Sequence, residues 1–153
     1  MFYPRKLLPA LEKQTKTKEI ILLTGMRQAG KTTLLRHLYG LTPSKNKAFF
    51  DFENSLETKV FEEENFNAIW DNLANYGVNK GKKAYIFIDE IQNLPIISRV
   101  VKYLYDHYET KFFLTGSSSF YLKNLFPESL AGRKFVFELF PPSDTSACLP
   151  NRD

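Results

Sequence analysis

Apolar residues along this chain fall into short unbroken blocks separated by longer stretches of spaced apolar positions. The blocks are Ile20-Ile-Leu-Leu23, Lys47-Ala-Phe-Phe-Asp-Phe52, Ala84-Tyr-Ile-Phe-Ile88, Lys111-Phe-Phe-Leu-Thr115 and Lys134 to Leu139. Blocks of this length that do not alternate with polar residues read as strands buried on both faces. Between them lie helical spacings. Leu34, Leu35 and Leu38 stop at Gly40; Leu56, Val60, Phe61, Phe66, Ile69, Trp70 and Leu73 run on to Gly77; and Ile96, Ile97, Val100, Val101, Leu104, Tyr105 and Tyr108 recur at i, i+4 and i+8. Strands alternating with helices predict an α/β fold, a three-layer sandwich with a central parallel sheet flanked by helices.

The tail after Phe140, Pro-Pro-Ser-Asp-Thr-Ser-Ala-Cys-Leu-Pro-Asn-Arg-Asp, has adjacent prolines and no apolar periodicity. The expected organisation is one domain over 1–140 and a disordered tail over 141–153. A length of 153 residues with 43% hydrophobic and 25% charged residues is that of a single soluble domain with its own core. The apolar runs are too short to span a membrane and no secretory segment opens the chain, so a cytoplasmic location is the expectation. One cysteine, Cys148, and two histidines, His37 and His107, give no zinc-ligand spacing. A net charge of +4 permits contact with nucleic acid, but the lysines are spread along the chain among acids such as Glu62, Glu63 and Glu64 and read first as a solvated surface.

The chemistry concentrates where the first strand meets the first helix. Gly25-Met-Arg-Gln-Ala-Gly30-Lys31-Thr32 fits Gly-x-x-x-x-Gly-Lys-Ser/Thr without a mismatch and sits between a buried strand and a helix. Glycines let successive N–H groups turn inward around a phosphate, and the helix adds the positive end of its dipole. In this loop Gly25, Arg27, Gln28, Ala29, Gly30, Lys31, Thr32 and Thr33 are the candidate nucleotide-binding residues. Lys31 brings a positive charge to the β- and γ-phosphates, and Thr32 a hydroxyl to the accompanying magnesium. Chance would produce the four fixed positions in well under ~1% of chains this long.

Two further strand ends extend the site. The third block ends in Asp89-Glu90, and ligands of parallel sheets bind beyond the carboxyl ends of strands. Asp89 is the candidate second metal ligand and Glu90 the candidate base for an attacking water. The fourth block ends in Thr115-Gly116-Ser117-Ser118, where Ser117 and Thr115 are placed to touch the γ-phosphate or orient the water. Arg133, just before the last block, is a candidate for stabilising the transferring phosphoryl group, from its own or a neighbouring subunit, although a surface ion pair is the commoner role of an arginine.

Together Pro4-Arg5-Lys6, Leu23 to Leu35, Phe87-Ile-Asp-Glu-Ile-Gln92, Phe113 to Ser119 and Ser129-Leu-Ala-Gly-Arg-Lys-Phe135 resemble the prokaryotic AAA-type P-loop ATPases in which the ATPase core precedes a poorly characterised second domain. The resemblance spans residues 1 to about 141. It implies ATP and Mg²⁺ as cofactors, Lys31 and Thr32 at the phosphates and metal, Asp89 at magnesium, Glu90 as hydrolytic base and Ser117 as sensor. Similar proteins continue after Phe-Glu-Leu-Phe-Pro into a helical second domain, so the chain resembles a truncated member. The expected function is Mg-dependent hydrolysis of ATP. The alternative is a nucleotide-binding module or switch with little turnover. A homo-oligomer, a partner protein or nucleic acid are the partners to test. No Asn-Lys-x-Asp guanine-reading motif occurs, which disfavours a GTPase.

Overall fold

The computed structural model describes residues 7–25, 30–116, 132–140 and 150–152. Its centre is a six-stranded sheet ordered β2-β3-β4-β1-β5-β6, with β1 at Ile20–Gly25, β2 at Lys47–Asp51, β3 at Ala84–Asp89, β4 at Thr110–Thr115, β5 at Lys134–Leu139 and β6 at Pro150–Arg152. The first five are parallel to one another. β6 pairs antiparallel to β5, with Phe137 opposite Pro150 and Phe135 opposite Arg152. Those three residues fall within the segment expected to be disordered. The open edge of β5 offers N–H and C=O groups that such a segment satisfies. The rest of that segment lies outside the described residues.

Side chains alternate between the two faces of each strand, which divides the core in two. On one face Ile21, Leu23, Phe87, Phe113, Phe137 and Leu139 pack against α1 (Leu7–Gln14) and α2 (Lys31–Leu41). On the other, Ile20, Leu22, Phe50, Ile86, Ile88, Phe112 and Leu114 pack against α4 (Phe66–Ala74) and α5 (Ile97–His107). β1, β3 and β4 are thus covered on both sides, which is why their sequences show apolar blocks, whereas the edge strand β2 alternates buried with half-buried residues.

Two elements differ from expectation. The spacing from Leu56 to Leu73 is not one helix but a short helix α3 (Ser55–Thr58), a 3₁₀ turn over Lys59–Phe61, and then α4. The polar run Glu62 to Glu64 interrupts it, and Asn65 restarts the helix by accepting a hydrogen bond from the Asn67 N–H at 2.9 Å. α1 carries only Leu7 and Leu11 as fully buried residues, too few in eight residues for the spacing to stand out.

α1 is held by an unusual side chain. Lys111 on β4 is fully buried. Its Nζ donates to the carbonyl oxygen of Gln14 at 2.7 Å, to Thr17 Oγ1 at 3.2 Å and to the carbonyl oxygen of Glu19. The ammonium therefore caps the carboxyl end of α1 and fixes the approach of the chain to β1. Burial pulls its pKa down to about 7, opposed by the charge of Glu19 and aided by that of Lys83. Below pH 7 the lysine is charged in both folded and unfolded chains. Between about 7 and 10.5 the unfolded chain holds the proton that the folded chain has lost, so Lys111 makes stability rise with pH, by up to ~1.4 kcal/mol per unit. Urea unfolding of the native chain and of Lys111→Met at pH 6, 7.5 and 9 checks this: the native chain is expected to gain stability relative to the variant as pH rises. A constant difference would refute it.

Candidate functional site

All five parallel strands present their carboxyl ends on the same edge of the sheet, and there the described motif residues meet. β1 ends at Gly25, which lies opposite Leu139 of β5. Its φ is +143°, and a Cβ at this position would come within 2.3 Å of the Leu139 carbonyl oxygen. The glycine is thus required by the close approach of two strands, a reason different from the phosphate contact expected of it. Gly30, at φ 84°, adopts the left-handed conformation that turns the chain into α2. The first turn of α2 directs its N–H groups toward the loop, the geometry that binds anions.

Lys31 is buried, and its Nζ donates to the carbonyl oxygen of Gly25 at 3.0 Å. Loss of hydration lowers its pKa, against which the charges of Glu90 and Asp89 pull upward. The field of those two carboxylates reaches the ammonium although β4 separates β3 from β1 in the sheet. Thr32 donates its hydroxyl to Asp89 Oδ2 at 2.8 Å, spanning the width of β4. The Thr32 hydroxyl and the strand-end carboxylate of Asp89 are thereby brought within reach of one cation.

β4 supplies the link between the carboxylates. Thr115 donates its hydroxyl to Asp89 Oδ1 and accepts the N–H of Glu90 at 3.0 Å. Glu90 has φ 60° and ψ 53°, and no other non-glycine among the described residues has a positive φ. A left-handed glutamate costs ~1 kcal/mol, so its surroundings hold it there. The Gln92 amide adds to that hold by donating to Glu90 Oε2. The result is a continuous chain from Thr32 through Asp89 and Thr115 to the Glu90 backbone, with Gln92 on the Glu90 carboxylate. Sequence reasoning singled out Thr115 only as one hydroxyl among several and passed over Gln92; its signal was a polar side chain two residues beyond the acidic pair.

Not every candidate is here. Arg27, Gln28, Ala29 and Ser117 lie outside the described residues. Thr33 is exposed on α2. Arg133 is not brought to this edge: it immediately precedes β5 and so sits at the amino edge of the sheet, a strand's length or ~20 Å from the carboxyl end of β5. There it pairs with Asp106 at 2.8 Å, the surface role. It does not belong to the site of its own chain.

Replacing Thr115 with valine keeps the shape but leaves the Glu90 N–H without its acceptor and removes a donor from Asp89. The expected cost is ~1–3 kcal/mol of stability, with Thr115→Ser recovering most of it, as read by denaturant melts. Equal melts for the two variants would mean the hydroxyl does nothing.

Residues 17–145 match the family model described as an AAA domain. The chain belongs to the AAA domain family. This makes it an AAA-type nucleotide-binding domain of the P-loop class. Among curated relatives, an uncharacterized protein of Mycobacterium tuberculosis and one of Mycobacterium bovis are each 36% identical over 122 residues, or 78% of this chain. The chain spans about a quarter of their length, 24%. Among solved structures, the Aeropyrum pernix ORC1 protein in complex with DNA is similar with a TM-score of 0.60 at 18% identity, over 93% of this chain and 46% of that one. A Bacteroides Pif1 helicase in complex with ADP-AlF3 and ssDNA gives 0.56 at 16%, over 95% and 44%. Caenorhabditis elegans PCH-2 gives 0.51 at 18%, over 84% and 36%. At these identities the likeness is one of fold, and it is that of a parallel sheet between helices. No helix among the described residues is long and apolar enough to cross a membrane.

Proposed function

We propose that this AAA domain binds ATP with Mg²⁺ in the cytoplasm and hydrolyses it to ADP and phosphate. The observation that carries the reading is the hydrogen bond of Thr32 to Asp89, because it joins the phosphate loop to the acidic strand end at the place where a hard cation would sit. Oxygen-only donors, one hydroxyl and one carboxylate, fit magnesium. When bound, the ion supplies positive charge to the oxygens of the β- and γ-phosphates.

The residues of the chain do the rest. Gly30 and the start of α2 cradle the phosphates through backbone N–H groups. Lys31 exchanges its bond to the Gly25 carbonyl for one to the phosphates, where its charge offsets the charge that builds up as the γ-phosphoryl group departs. Glu90 accepts a proton from water as the water oxygen attacks the γ-phosphorus and the bond to the β–γ bridging oxygen breaks, leaving ADP and inorganic phosphate. Thr115 and Gln92 hold the Glu90 backbone and carboxylate. Ser117 is assigned next to the γ-phosphate by its place in the motif after β4. Arg133 retains a role only in a neighbouring subunit's site, which makes a homo-oligomer part of this reading.

Thermal melts with ATP and magnesium, run beside a phosphate-release assay without acceptor, test it. A nucleotide-dependent rise in melting temperature and steady phosphate release are expected. A rise without release would leave the nucleotide-binding module and sink hydrolysis. No rise for any nucleotide would sink both.

A further inference from the structure

The edge of the sheet opposite the nucleotide site carries a charge pattern that the sequence hides. In a parallel sheet every strand begins on the same edge, and every helix before it ends there. In this chain the lysines cluster just before the strands. Lys13 lies in the last turn of α1, Lys16 and Lys18 between α1 and β1, Lys45 between α2 and β2, and Lys80, Lys82 and Lys83 between α4 and β3. The segments Thr42 to Asn46 and Asn75 to Lys83 contain no carboxylate at all. Lysines scattered over seventy positions of sequence therefore converge on one face.

The convergence is continuous. Buried Asn46 donates to the carbonyl oxygens of Asn79 at 3.0 Å, Lys82 at 3.2 Å and Lys83 at 2.9 Å, tying the link that carries Lys45 to the one that carries Lys82. Lys83 and Lys18 line one depression of about 320 Å³ with Tyr105 and Tyr108. Lys13 and Lys16 line another of about 660 Å³ with Leu41, Pro43 and Tyr85, and the Lys83 ammonium sits 5.3 Å from the centre of the Tyr85 ring.

Helix ends alone account for only part of this. Lys47 and Lys111 do cap helix carbonyls, with Lys47 Nζ 2.7 Å from the Tyr39 oxygen. Lys80 pairs with Asp71. By contrast Lys13, Lys16, Lys45 and Lys82 are exposed and form no ion pair among the described residues. Of the carboxylates of this face, Asp106 is occupied by Arg133 and Lys102, and exposed Glu12 and Glu109 line the larger and the smaller depression, so lysines outnumber these glutamates around both.

We propose that this amino-edge face binds the phosphate backbone of nucleic acid. The four strands β2, β3, β4 and β1 span ~14 Å at this edge, which corresponds to about four base-pair steps of ~3.4 Å along the axis of B-form DNA. The lysines rim aromatic-floored depressions, which a chain can enter and a flat lipid headgroup plane cannot; lysine charge with tyrosine rings is the chemistry that holds nucleic-acid strands. The surface is separate from the nucleotide site, and the proposal stands whether or not ATP is hydrolysed.

Fluorescence anisotropy with a labelled 20-nucleotide single strand and the matching duplex, without ATP, tests it in the native chain, in Lys16→Gln/Lys45→Gln/Lys82→Gln, and in Arg36→Gln/Lys59→Gln/Arg99→Gln. Both triple variants lower the net charge by three, and melts confirm that each folds. Binding at 50 mM salt is expected in the native chain, at least tenfold weaker in the amino-edge variant and less than threefold weaker in the other. The slope of log K against log salt should become shallower by about 2 in the first variant only. No binding at 50 mM salt, equal losses in the two variants, or tighter binding to phosphatidylserine vesicles or polyglutamate than to either oligonucleotide would each overturn it.

Discussion

Glu90→Gln is expected to lower phosphate release by ~10²–10³-fold while leaving the ATP-dependent rise in melting temperature within a degree or two of the native chain. The substitution keeps the size and the planar head of the side chain, so the left-handed backbone at φ 60° and its N–H bond to Thr115 have no reason to change. What it removes is the proton acceptor. It also removes a negative charge that raises the Lys31 pKa, so the ammonium faces one carboxylate fewer and the phosphates meet one repulsive charge fewer, which leaves nucleotide binding intact. Lys31→Ala should behave in the opposite sense, losing both the thermal rise and the turnover, because its ammonium is the charge that meets the phosphates. Single-turnover phosphate release with a paired melt separates the cases. Unchanged release in Glu90→Gln would remove Glu90 from the reaction and leave its carboxylate the role of holding Gln92.

The parallel sheet and the turn from β1 into α2 through Gly25 and Gly30 were legible in the sequence because both are local. A strand covered on two faces needs an unbroken apolar block, and a loop that wraps phosphate needs glycines and lysine at fixed spacing. What was not legible depends on which strand lies beside which. The intervention of β4 between β1 and β3 makes Thr115 the link between Asp89 and the Glu90 backbone, and no spacing along the chain records that neighbour relation. The same holds for Lys111, which reads as the polar start of an apolar block and becomes the cap of α1, about a hundred residues earlier in the chain. Arg133 could have been placed from the sequence: a residue that opens a parallel strand lies at the edge away from the phosphate loop.

Gly25 shows how a motif can conceal two separate demands. The sequence treats Gly25 and Gly30 alike, as positions where the backbone approaches a phosphate. In the fold, Gly30 needs a left-handed φ of 84°, whereas Gly25 needs empty space, since any Cβ would stand 2.3 Å from the Leu139 carbonyl oxygen. That oxygen belongs to the backbone of β5 and cannot swing aside as a side-chain end would. Gly25→Ala must therefore part the ends of β1 and β5 besides straining φ, and the expected loss is ~3 kcal/mol or more of stability without any nucleotide present. For a domain of this size that corresponds to a melting temperature lower by ~6–12 °C. Gly30→Ala is expected to cost only the ~1 kcal/mol of a left-handed alanine. Melts of the two variants in the absence of nucleotide decide between the demands: a larger fall for Gly25→Ala means that the first glycine of the loop is fixed by strand packing, while equal falls would return it to the phosphates alone.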